Sequence, residues 1–231
     1  MSRPRRRQPG LREIAIGLGV YAAYLTARRL VVTDDGRRRA ARNAARVVAL
    51  ERRLGLHVEP AFQRILLPRR RLCHALNVGY VSLNVLLTVG LPMLLWVRGH
   101  PRFPWLRRSV AFAILGASPV FLFFPCDPPR TLDDFEDTIK EVSGLDLDSG
   151  LVAQLYNPIA AFPSIHMAFA VVTAAGIRGT SSSPALRTAA AAYPPAVAFT
   201  VFATANHYVL DGVAGAVLGG AAVRAARRLA G

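Results

Sequence analysis

Uncharged stretches set the pattern of this chain. Residues 72–97, 109–126, 149–177 and 188–210 run for 26, 18, 29 and 23 positions without Asp, Glu, Lys or Arg. A membrane span needs roughly 20 apolar residues, about 17–25 with tilt, so each run is long enough. Pro158 and Pro163 interrupt the first half of the third run and confine its span to the second half. Two shorter runs, 14–27 and 212–223, are read as spans as well. The first ends at Arg28 and Arg29, which can snorkel to the headgroups and stand where a cleaved signal peptide would need small residues. The pattern predicts an all-α fold, a polytopic membrane helical bundle. Its six spans fall near 13–32, 73–97, 109–125, 163–178, 186–204 and 207–224.

Between the first two spans, 37–54 alternates small apolar and basic residues with helical period. Ala41, Ala44, Ala45 and Val48 are predicted on one face and the arginines on the other. Such a helix lies in the headgroup region or packs on the bundle with a solvated basic face. Residues 1–72 thus read as an N-terminal helix plus a basic amphipathic segment. Residues 73–231 read as the helical-bundle core, with an outer loop at 126–162. Gly215 and Gly219 in the last span have the spacing of close helix packing.

Composition agrees with a membrane protein. The chain has 231 residues, 52% hydrophobic and only 19% charged, which excludes intrinsic disorder, and its two cysteines exclude a disulfide scaffold. The net charge of +15 comes from 28 arginines and the single Lys140. So basic a chain suggests nucleic acid or a membrane surface, and the long apolar runs decide for the membrane, with no nucleic-acid partner. Counted over short loops and termini, 14 basic residues fall on one side and 2 on the other. Both termini are therefore expected in the cytoplasm, with the protein in the plasma (inner) membrane. The outer loop holds eight of the 14 carboxylates (Asp127, Asp133, Asp134, Glu136, Asp137, Glu141, Asp146 and Asp148), read as a solvated face. Cys73 and Cys126 both fall on the outer side, where an oxidising compartment would allow them to pair only with Cα atoms within about 7 Å, and two free thiols are the expectation.

Three motifs carry candidate chemistry: PCDPPR at 125–130, FPSIH at 162–166 and NHYVLD at 206–211. An even number of crossings separates the second from the third, so all three are expected on one membrane face, the outer one. Ser164 suits the N-cap of the fourth span, whose free N–H groups and positive dipole end would favour phosphate. His207 and Asp211 are four apart and stack on one helix face. There the carboxylate can hold one imidazole nitrogen protonated and leave the other as a nucleophile. Arg130, stiffened by two prolines, offers a bidentate donor to phosphoryl oxygens. Ionisable groups within spans are costly and point to function. His57, His74 and His100 have no such partners in the sequence and are read as structural or solvated.

These motifs, as PCDPPR, AFPSIHMAFA at 161–170 and NHYVLDGVAG at 206–215, resemble the type 2 phosphatidic acid phosphatase superfamily, in particular its inositol-phosphotransferase-like branch. The stretch 51–66 is similar to that branch too, and the resemblance covers most of 45–220. It implies an integral-membrane, metal-independent lipid phosphatase or phosphotransferase with no cofactor, acting on a phosphorylated membrane lipid. His207 would be the nucleophile, Asp211 would orient it, and His166 would protonate the leaving oxygen and then act as base. Arg130 and Ser164 would hold the phosphate, with no metal site. Two cations of the broad pattern are missing, and Phe123 and Val201 stand in their places.

Hydrolysis and headgroup transfer, for example of an inositol phosphate, are equally compatible with this reading. A non-enzymatic transporter or scaffold would spread its ionisable residues along a mid-bilayer pathway instead. Membrane-surface or nucleic-acid binding through 28–71 would leave both histidine motifs without a role.

Overall fold

The structure is a computed structural model that describes residues 10–145, 147 and 157–229. Asp146, Asp148 and the arginines at positions 3, 5, 6 and 7 lie outside the described residues. Among those described the fold is helical, with one isolated parallel bridge between Cys126 and Ala160 and no strand.

Helix α1 spans Gly10–Val31, α2 Asp34–Leu54 and α3 Glu59–Leu66. Helix α4 runs unbroken over Arg70–Val97 and contains a π-helical turn at Gly79–Leu83. Helix α5 covers Phe103–Phe123 and the short α6 covers Thr138–Ser143. They are followed by α7 at Ile165–Thr180, α8 at Pro184–Ala203 and α9 at Val209–Arg228.

Helices α1, α4, α5 and α9 are long and apolar enough to cross a membrane. The chain is an integral membrane protein. Leu86, Met93, Val213 and Val217 face outward on α4 and α9, as a lipid-bathed surface requires. The other two predicted spans differ in kind. Helix α7 has 16 residues, a rise of about 24 Å against a hydrocarbon core of about 30 Å. Helix α8 has 20 residues but carries Arg187, three prolines and a run of alanines, which make it less apolar. It passes through Pro194-Pro195 without interruption.

Helix α7 is the centre of the bundle and packs against α4, α5, α8 and α9. Close approach of α9 depends on its glycines. A Cβ on Gly215 would stand 2.1 Å from the Ser164 carbonyl oxygen, and one on Gly219 would stand 2.6 Å from that of Ala168. The end of the bundle away from the predicted motifs is filled by Leu95, Trp105, Leu106, Val172 and Val223. Helix α1 lies outside this core against α5, joined to it by an ion pair between Glu13 and Arg107.

Helix α2 buries a different face from the one its apolar residues predict. Gly36, Ala40, Asn43, Ala44, Val47 and Glu51 face the protein, whereas Ala41 and Ala45 are exposed. Polar residues decide the rotation. Asn43 donates to the Pro125 carbonyl at 2.8 Å, and Glu51 accepts from the Leu210 N–H at 2.7 Å. Apolar positions alone could not reveal that face.

Replacing Gly215 by alanine should cost at least about 1–3 kcal/mol of stability, because the neighbour is backbone and cannot swing aside. Gly220→Ala, where the added carbon meets nothing within 4 Å, should leave stability unchanged or raise it by up to about 1 kcal/mol. Thermal unfolding of both variants in detergent checks the contrast.

Candidate active site

All three motifs meet where α7 and α9 begin. The connection from α8 turns sharply at Ala205, whose φ of 53° lies in the left-handed region that a residue with a Cβ rarely adopts. This turn points the Ala205 carbonyl at the backbone N–H of Arg130, 2.7 Å away. The 125–130 segment is thereby tied to the residues just before His207. A second tie runs through Cys126, whose N–H donates to the Ile159 carbonyl at 2.9 Å and whose own carbonyl accepts from Ala161 at 3.0 Å. Both cysteines are free and buried, and burial pushes the Cys126 thiol well above its ordinary range.

His207 is held by the neighbours these ties position. Its Nδ1 is 3.0 Å from the Ala161 carbonyl oxygen and 3.2 Å from Asp211 Oδ2. A carbonyl oxygen only accepts, so Nδ1 carries the hydrogen and neutral His207 keeps its lone pair on Nε2. That Nε2 is buried and has no hydrogen-bond partner. Asp211 is fully buried, and its Oδ2 also accepts from the Tyr208 N–H at 2.9 Å. Ser164 donates its backbone N–H to the Asp211 carbonyl at 3.0 Å, which joins the start of α7 to α9.

The Ser164 side chain caps α7, with Oγ accepting from the Met167 N–H at 3.2 Å. His166, in the first turn of that helix, lies 5.6 Å from His207 between ring centroids. Its own Nδ1 is buried without a partner. The Tyr80 ring stacks on His166 at 4.1 Å, and Tyr80 comes from the π-helical turn of α4. One extra residue in that turn re-aims the side chain, a device common at functional sites. One turn on, Asn84 donates to the His166 carbonyl at 2.9 Å and accepts from the Tyr193 hydroxyl at 3.1 Å.

Both histidines and Asn206 line a cavity of about 510 Å³. Asn157 adds a second amide, and most of the remaining wall is apolar, with Val81, Val85 and Val89 of α4, Ile114 of α5 and Phe169 of α7. Tyr21 and Tyr24 of α1 close one side. Arg130 and Ser164 are buried beside this cavity and are not part of its wall. Arg130 donates from Nε to Asn206 Oδ1 at 3.1 Å and pairs through Nη1 with Asp137 at 3.0 Å. The same Asp137 caps α6 by accepting from Ile139 and Lys140. It therefore departs from the solvated run of carboxylates expected in this loop. Of the two positions lacking a cation, Phe123 is exposed on the outside of α5 and Val201 is buried in α8.

Residues 45–225 match the family model of the PAP2 superfamily. The chain belongs to the PAP2 superfamily. Membership points to phosphatase or phosphotransferase chemistry and, with the apolar helices, to a membrane lipid as substrate. No curated protein and no solved structure matches the chain.

Sequence reasoning assigned no role to Tyr80, Asn84 or Asn206. A usable signal existed for one of them: Asn84 is a polar side chain inside an uncharged run, where such groups seek partners on other helices. His57 was read as lacking partners; in the structure its Nδ1 is near Glu59 Oε2, at 3.4 Å, but makes no hydrogen bond. His74 and His100 bond to Ser143 and to the Arg102 N–H respectively.

Asn84→Ala removes two hydrogen bonds at once and should lower stability by about 1–3 kcal/mol. Tyr193→Phe, which removes only one of them, should cost about 1 kcal/mol or less. Unfolding midpoints in detergent distinguish the two.

Proposed function

We propose that this PAP2 protein cleaves or transfers the phosphorylated headgroup of a membrane lipid through a phosphohistidine on His207. One observation carries the reading: Nδ1 of His207 is held by Ala161 and Asp211 while Nε2 is left without a partner, in a cavity that His166 also lines. An imidazole fixed in this tautomer has its nucleophilic lone pair on Nε2 before substrate arrives.

In the first step Nε2 bonds to phosphorus, and the bond from phosphorus to the leaving oxygen breaks. His166 gives that oxygen a proton. The imidazole of His207 becomes positive as the P–N bond forms, and the Asp211 carboxylate balances that charge. In the second step His166, now neutral, takes a proton from water or an alcohol, whose oxygen displaces His207 from phosphorus. The substrate gains the elements of water, or exchanges one alcohol for another, and both histidines return to their starting state.

Phosphoryl transfer of this kind depends on positioning and on charge aimed at the equatorial oxygens. Ile165 and His166 line the cavity, so the positive end of α7 faces it. Ser164, buried behind the wall, fixes the start of α7 through its cap, so that the free N–H groups there face the phosphate. Arg130 acts from behind Asn206 through its charge. No metal touches the phosphate in this scheme. The apolar wall from Val81 to Val89 suits a hydrocarbon chain, which supports a lipid rather than a soluble phosphate ester. Clustering of the ionisable groups at one end of the bundle argues against a transport pathway.

In the bilayer we place α7 and α8 as the fourth and fifth of six crossings, both termini in the cytoplasm and the histidines near the outer face. Cysteines at Asp133 and Glu141, both exposed, should be labelled by an impermeant reagent from outside, and one at Ser182 only after lysis. Labelling of all three from one side would overturn this topology.

Purified protein incubated with a panel of phospholipids and prenyl phosphates, with and without alcohols, should release phosphate or form a new headgroup. His207→Ala should abolish either product while the protein still folds. Asp211→Asn should lose roughly 10²–10⁴ in rate. Turnover at the wild-type rate in His207→Ala would remove the phosphohistidine mechanism.

A further inference from the structure

A second buried cluster stands on the other side of the α9 N-terminus. Glu51 is in the last turn of α2, Glu59 begins α3, and His57 lies in the turn between them. Both carboxylates are 0% exposed. Each uses one oxygen on α9: Glu51 Oε1 accepts from the Leu210 N–H at 2.7 Å and Glu59 Oε1 from that of Val209 at 2.8 Å. The second oxygen of each has no hydrogen-bond partner, and neither has His57 Nδ1. These three atoms lie within 4.8 Å of one another.

Charge and geometry both leave this cluster incomplete. Among the described residues neither carboxylate pairs with an Arg or Lys. Two carboxylates buried together carry a large desolvation cost unless a cation joins them. A protonated His57 would supply one positive charge, whereas a divalent cation supplies two and engages all three orphaned atoms. His57 Nδ1 is 3.4 Å from Glu59 Oε2 and 4.0 Å from Glu51 Oε2. Ligand atoms around a tetrahedral ion with bonds of about 2.0–2.1 Å stand roughly 3.4 Å apart, so small side-chain shifts would close the set. One imidazole and two carboxylates are ligands that zinc accepts, and manganese and ferrous iron accept them as well. The His57 side chain is 14% exposed, which leaves a path for the ion and for a water as fourth ligand.

We propose that Glu51, His57 and Glu59 bind one divalent transition-metal ion of the zinc class. The ion clamps the turn between α2 and α3 beneath the start of α9. It is structural: none of its three ligands lines the cavity that holds the histidine pair. The proposal does not depend on the phosphohistidine chemistry, and metal content is measured without reference to activity.

The full chain, purified in detergent and stripped with a chelator, should take up about one equivalent of Zn²⁺ that survives desalting, counted by elemental mass spectrometry. Bound zinc should raise the melting temperature by several degrees. His57→Ala keeps both carboxylates on the α9 amides, so it should fold, retain under about a tenth of an equivalent and show no zinc-dependent shift. Glu51→Gln should behave the same way, and if that variant fails to fold, His57→Ala alone decides. Wild-type protein that takes up no Zn²⁺, Mn²⁺ or Fe²⁺ overturns the proposal, as does undiminished uptake by His57→Ala.

Discussion

Helix α9 begins inside the protein, and its first backbone N–H groups have no carbonyl of their own to bond. A buried helix start of this kind is costly unless other groups accept those hydrogens. Here three carboxylates do so in succession. Asp211 takes the N–H of Tyr208, Glu59 that of Val209 and Glu51 that of Leu210. The positive end of the helix dipole favours the same arrangement. Much of the fold around the site follows from satisfying this helix start. Helices α2 and α3 must lie against it, which explains why α2 buries Asn43 and Glu51 along with its alanines. Asp211 must turn inward, which leaves its Oδ2 for His207.

The opposite requirement holds at the start of α7. There the cap is a neutral serine, and the residues that follow open onto the cavity. Two helix N-termini a few residues from the paired histidines are thus treated differently: one saturated with carboxylates, the other facing space. Negative charge is used up where the structure has to be held and withheld where a phosphate would enter. The π-helical turn in α4 belongs to the same arrangement. By placing Tyr80 against His166 and Asn84 under its carbonyl, it braces the histidine from the side that α9 does not reach.

Helix class, membrane character and the three motifs were legible in the sequence, because each depends on local order. An uncharged run long enough to cross hydrocarbon has to be helical to satisfy its backbone. The motif marked His207 and Asp211 as partners, but His207 lies in the bend two residues before α9, so the turn at Ala205 and not a shared helix face brings them together. Gly215 and Gly219 likewise marked the face of α9 that packs against α7. What the sequence determined by itself was therefore the kind of fold, most helix limits to within a few residues, and the side chains available for chemistry. Tertiary structure alone decided which partners complete them. Ala161 on His207, Asn84 on His166, Asp137 on Arg130, and the pairing of Glu51 with Glu59 across His57 mostly join separate helices and loops. No periodicity encodes such contacts, since they arise from the demand that every buried donor and acceptor find a partner once the helices have packed. The buried face of α2 has the same origin. Its apolar residues allow more than one rotation, and Asn43 and Glu51 reached their partners in only one.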